Sequence, residues 1–147
     1  MKTEPTEFSI DDLILRDHQT EHWDGVRNYQ ARNMIRDDMS VGDQVFIYHS
    51  NCDYPGIVGV AEISRAAYAD FTAFDPENHH YDPKSKRESP TWFMVDVKFV
   101  RKLIRTITLI ELKGYPELAT LPLVRRGNRL SVMPVNEQEW TFILGLE

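Results

Sequence analysis

The residues with the greatest chemical capacity stand together in Trp23-Asp24-Gly25-Val26-Arg27-Asn28-Tyr29. A tryptophan in a polar, glycine-containing stretch is costly to leave in water, so it either packs into the core or walls a pocket. Arg27 and Asn28 follow at once, which gathers an indole, a guanidinium and an amide within a few residues. These are the groups needed to hold a planar heterocycle: the ring stacks, and the amide reads a polar edge. The spacing equally allows a structural reading, in which Trp23 is core and Asn28 only caps a helix beginning at Tyr29. Tyr48 and His49, at a strand end, face the same choice.

Other polar groupings carry weaker signals. His79-His80 with Asp82 suggests a metal site, but adjacent histidines in a polar loop lack a metal-ligand spacing, and a solvated loop is the simpler account. Ser50, His49 and Asp53 hold the residue types of a nucleophilic triad. Sequence neighbours rarely adopt that geometry, and nothing resembles a nucleophile elbow. The seven glycines are dispersed and form no phosphate-cradling loop. The expectation is a binding protein with no metal, no cofactor and no catalytic residue. For an enzyme, Glu4 and His49 are the candidate acid–base groups.

These residues must be positioned by short elements. Ser9 and Asp12 form a capping pair for a helix over 9–13. Residues 16–25 read as a loop, and a helix covers 29–37, with Ala31, Met34 and Ile35 on one face and Arg32 and Arg36 on another. Strands are expected over 44–49, 57–63 and 92–103, with Gly59 marking a bulge or a close backbone approach. Between the last two, residues 69–90 carry Pro76, Pro83 and Pro90 and read as a long excursion with little regular structure. Thr108 to Glu111 caps a short helix ending at Gly114. A basic loop over 122–129 then leads to a short strand at 130–133, and Asn136 to Glu139 caps a final helix. No βαβ rhythm appears, so the class is α+β, built on a small mixed β-barrel flanked by short helices.

The chain has 147 residues, with 41% apolar and 27% charged, which suits one soluble domain over 1–147. No apolar run approaches a membrane span, and Met1 to Pro5 lacks the apolar stretch of a secretory signal. Cys52 is the single cysteine, so no internal disulfide forms, and a cytoplasmic location is expected. Net charge is −6 with a pI near 5.4. A protein that wraps a duplex through many phosphates carries excess Lys and Arg, so any nucleic-acid contact here should be small, with one local basic rim.

Trp23 to Asn33 closely resembles the signature of the EVE domain. So do Lys2-Thr3-Glu4-Pro5, Tyr48-His49-Ser50-Asn51, Pro55 to Gly59 and Arg129-Leu130-Ser131-Val132. The segments keep the family's order over nearly the whole chain. EVE domains belong with the PUA-like folds, and the resemblance extends to YTH domains, which read a methylated adenine in RNA. It implies a pocket for a flipped-out modified base, cytosine derivatives being favoured, in DNA or RNA. Carried onto this chain, Trp23 is an aromatic wall. Asn28, with the backbone near Arg27, addresses the base edge beside Tyr29, and Lys2 reaches the pocket floor or a phosphate. His49, Ser50 and Asn51 lie at the lip. Charge clustering adds Arg125, Arg126 and Arg129 as a phosphate-facing rim. The family usually has apolar residues before Lys-x-Glu-Pro, whereas Met1 directly precedes Lys2. Either the first strand is short or the chain as given begins inside it. The alternative reading is a binder of a small heterocyclic metabolite, which needs no arginine rim.

Overall fold

The computed structural model describes residues 1–147. Five strands form one mixed sheet: β1 (Lys2–Thr3), β2 (Thr20–His22), β3 (Gln44–His49), β4 (Gly56–Ala69) and β5 (Phe93–Thr108), in the order β1-β3-β4-β5-β2. β1 runs parallel to β3, and the other pairings are antiparallel. Four helices flank the sheet: α1 (Ile10–Leu15), α2 (Tyr29–Asn33), α3 (Leu109–Lys113) and α4 (Glu137–Leu144). α2 continues into a wider π-turn over Met34–Asp38. None of these helices is long and apolar enough to cross a membrane.

The α+β class and the mixed sheet with short flanking helices are as expected, but the ladder stays open. β1 and β2 are its two edges, of two and three residues, and no ladder joins them. The expected strand at 130–133 is irregular. It touches the sheet through one backbone bond, Lys2 N–H to Ser131 O at 2.8 Å, while Val132 is buried. Conversely β2, expected as loop, pairs with β5 through Thr20, Glu21 and His22.

β3 explains why both sheet faces are covered. Val45 and Ile47 enter one core with Ile35, Ile63, Val97 and Trp23, while Phe46 and Tyr48 enter a second with Ile57, Ile107, Leu112 and Ile143. A strand buried on both faces reads as an unbroken apolar run rather than an alternating one. α1 lies close to the sheet because Gly59 has no side chain: a Cβ there would stand 2.8 Å from the Arg101 carbonyl oxygen and 2.1 Å from the Ile10 methyl.

The 69–90 excursion is tied down. Asp70, fully buried, accepts from the backbone N–H of Gly25 at 2.8 Å and of Thr72 at 2.9 Å, and pairs with the Arg27 guanidinium at 2.9 Å. Arg27 also donates to the His80 carbonyl at 2.7 Å, and Trp92 Nε1 donates to Asp82 at 2.7 Å. The segment is therefore laid across the loop that carries Trp23.

Candidate base-binding hollow

Trp23 sits on the short path from β2 into α2. Its backbone N–H donates to Val95 O at 2.8 Å, extending the β2–β5 pairing by one residue. The indole is 8% exposed and belongs to the first core, with Phe8 packed edge-on at 5.9 Å between centroids. It also bounds a hollow of about 520 Å³, so core residue and pocket wall are the same side chain. Volumes of roughly 300–1,000 Å³ are usual for small-ligand sites.

Three segments converge on the hollow. The first brings Lys2, Thr3, Glu4, Glu7 and Phe8, and β2 with its flanks brings Arg16, Glu21, His22, Trp23 and Asp24. The excursion adds His79 and His80. The His80 ring is seated over Gly25, which has φ +81°; any Cβ at that position would come within 2.4 Å of the imidazole. Glycine is needed there twice over, for the left-handed backbone and for the space. The lining is mostly polar, with Trp23 and Phe8 as its apolar surface.

Charge is unevenly committed. Glu21 accepts from Arg16 Nε at 2.7 Å and from the His22 backbone N–H at 3.0 Å, and the Arg16 guanidinium lies 5.2 Å from the Phe8 ring centre. The Lys2 ammonium stands 5.9 Å from the Tyr48 ring centre, and partial burial holds its pKa below the usual lysine value.

Of the residues expected to bind the ligand, the structure brings Lys2 and Trp23 into this hollow and places the others elsewhere, while Glu4, His79 and His80, singled out for other chemistry, also line it. Arg27 is turned into the excursion, as described, and lies 5.4 Å from the Trp92 ring centre. Asn28 caps α2, accepting from Ala31 N–H at 3.0 Å. Tyr29 is exposed and stacks on Trp92 at 5.0 Å, with the Arg32 guanidinium 4.9 Å from its ring centre and 6.0 Å from that of Trp92. His49 accepts at Nε2 from Ile10 N–H at 3.1 Å, so its ring anchors α1 to β3. Burial, with Lys102 adding and Asp11 opposing, keeps that imidazole below its ordinary pKa and hence neutral enough to accept. Ser50 donates its backbone N–H to Thr3 O at 2.9 Å, and Asn51 turns the chain with φ 51°. His79, His80 and Asp82 form no metal cluster, since the Asp82 carboxylate is engaged by Trp92.

Arg125, Arg126 and Arg129 lie together and exposed around a second, shallower cleft of about 400 Å³ that also includes Asn28 and Gln30. The two depressions share no lining residue but are linked through the chain and one hydrogen bond. The loop from Trp23 to Asn28 runs from one to the other, and Lys2 is bonded to Ser131, two residues beyond Arg129. What sequence reasoning missed is the polar lining from Glu7, His22 and Asp24, and the convergence on it of Glu4, His79 and His80, which the sequence suggested only for catalysis or metal binding. The WDG turn was the available signal, because its glycine needed a reason and the His80 ring supplies it.

A family model described as the EVE domain matches residues 1–146. Human thymocyte nuclear protein 1 is 46% identical over 100% of this chain and 72% of its own length, and the mouse protein of that name is 48% identical with the same coverage. A protein of solved structure from Pseudomonas putida superposes with TM-score 0.93 at 50% identity, covering 99% of this chain and 96% of its own. The human THYN1 protein, solved in complex with DNA containing 5-methylcytosine, gives TM-score 0.91 at 46% identity, covering 99% and 94%.

Proposed function

The chain belongs to the EVE domain family, and on that premise we propose that it is a nucleic-acid-binding module that captures a modified cytosine, turned out of its strand, in the hollow beside Trp23. The observation that carries this reading is the placement of a largely buried indole against an open space of about 520 Å³, next to an arginine cleft. The likeness to a relative solved with 5-methylcytosine DNA supports the choice of base and of DNA as the partner. In this reading the base enters the hollow with Trp23, Phe8 and Lys2 around it. The phosphates lie along Arg125, Arg126 and Arg129, with Asn28 and exposed Tyr29 beside them. The whole chain acts as one domain.

Turning out a base costs a few kcal/mol, less from a single strand. Stacking on an aromatic ring returns roughly 1–3 kcal/mol per base. The pocket therefore about offsets the cost of opening it, and the arginine cleft must supply much of the affinity. The base leaves unaltered. His49 is committed to α1 outside the hollow, and Glu4 lies exposed at its mouth. The single thiol Cys52 accords with a reducing compartment, and we place its action in the cytoplasm, although the relatives are named as nuclear.

Titration calorimetry with single-stranded DNA carrying one 5-methylcytosine or one plain cytosine tests this reading. Tighter binding of the methylated strand is expected, with recovered DNA unchanged in mass. Equal heats for both strands would show that the base is not read. Replacing Arg125 and Arg126 by Ala separates this function from metabolite binding, because nucleic-acid affinity should fall while capture of a free heterocycle would survive.

A further inference from the structure

Asp24 is the least exposed acidic group of the hollow that accepts no hydrogen bond from the chain. Glu21 is held by Arg16, and Glu4 and Glu7 are exposed at the mouth. Asp24 directly follows Trp23, its side chain is 29% exposed, and no group in the chain donates a hydrogen bond to it. Its nearest cationic-capable neighbours are His80 Nδ1 at 3.4 Å and His22 Nε2 at 4.0 Å, neither in hydrogen-bonding geometry. His80 Nδ1 is itself buried without a partner. Buried polar atoms are normally paired, so the ring nitrogen of His80 calls for a partner from the void, and the part-exposed Asp24 carboxylate beside it has acceptor capacity to spare.

A carboxylate at neutral pH only accepts hydrogen bonds. Among pyrimidines, the exocyclic 4-amino group of cytosine is a donor, whereas thymine and uracil present an acceptor oxygen at the same position. We propose that Asp24 sets the base specificity of this site: its carboxylate accepts the 4-amino group, selecting cytosine derivatives over their 4-oxo counterparts. The assignment rests on the base-capture reading above and adds the residue that discriminates. It also gives the acidic lining a purpose, because carboxylates repel phosphate and so favour entry of the base rather than the backbone.

5-Methylcytosine and thymine carry the same ring methyl and differ at the 4-position and the neighbouring N3, so the pair tests how that edge is read, and the Asp24 variant assigns the reading to its carboxylate. Fluorescence anisotropy with single-stranded DNA differing only in that base should show the wild-type protein favouring 5-methylcytosine by roughly tenfold. In Asp24→Asn, whose amide donates as well as accepts, the ratio should fall to about threefold or less, through weaker binding of the cytosine strand and stronger binding of the thymine strand. Circular dichroism of the variant should be unchanged, since no group of the chain donates a hydrogen bond to Asp24 and Asn keeps its size. Equal binding of both strands by the wild type, or an undiminished ratio in Asp24→Asn, overturns the role of Asp24 while base capture stands. Binding of neither strand overturns both.

Discussion

At Trp23, the two readings that the local sequence leaves open turn out to describe one side chain used twice. Most of the indole is enclosed by the core around Ile35 and Val95, and the remaining 8% borders the hollow. Mutation at this position therefore reports on folding and on binding together. Trp23→Ala removes a large buried group and is expected to cost about 3–5 kcal/mol of stability, read from urea denaturation. Trp23→Phe keeps an aromatic face and should lose only about 1–2 kcal/mol, leaving a cooperative transition. Its binding of 5-methylcytosine DNA should still weaken several-fold, because the smaller ring covers less of a base. Unchanged affinity in Trp23→Phe would remove the indole from the ligand site and leave it as core alone.

At the scale of elements, Arg27 illustrates how a motif residue can serve a site it does not line. Its guanidinium joins Asp70, Thr72 and the His80 carbonyl, and so fixes the excursion that seats the His80 ring over Gly25. Arg27→Ala leaves Asp70 as a buried charge without its cation and should cost roughly 3 kcal/mol or more. Amide exchange should quicken first over 70–90. Burial alone would raise the Asp70 carboxyl, but hydrogen bonds from Thr72 and Gly25 and the Arg27 ion pair outweigh it and hold the pKa below the ordinary 3.8. A depressed folded-state value means stability that is present above the unfolded value and lost as pH falls through the folded one. Urea midpoints of the wild-type protein should thus drop below about pH 4, with a flatter profile in Asp70→Asn.

The helix starts were legible because a cap is a local device: Ser9, Asn28, Thr108 and Asn136 each bond a backbone N–H three residues ahead. The run from Val45 to Tyr48 was legible for a similar reason, since burial on both faces leaves an apolar signature. β2 was not, because Thr20, Glu21 and His22 form a half-exposed edge whose strand character comes from pairing with Val97 and its neighbours. The site divides in the same way. Trp23 announces itself by its cost of exposure, whereas Glu7, Asp24 and His80 become neighbours only when Asp70 and Arg27 draw distant segments together.

For the whole molecule, the distribution of charge matters more than its sum. A net charge of −6 repels a polyanion at long range, and the hollow itself is rich in carboxylates. Attraction has to come from Arg125, Arg126 and Arg129, exposed around one cleft alongside. Such an arrangement aligns a strand: the backbone is drawn to one depression and excluded from the other, which leaves the base as the part that fits the acidic hollow. If those three arginines neutralise about three phosphates of a single strand, log affinity should fall with log salt at a slope near −2. Replacing Arg125 and Arg126 by Ala should reduce that slope by about 1.4 while leaving the ratio of methylated to plain cytosine unaltered, because phosphate contacts position and base contacts specify. A slope indifferent to those two residues would move the backbone contact to another face, and the hollow would then need a different route of entry for its base.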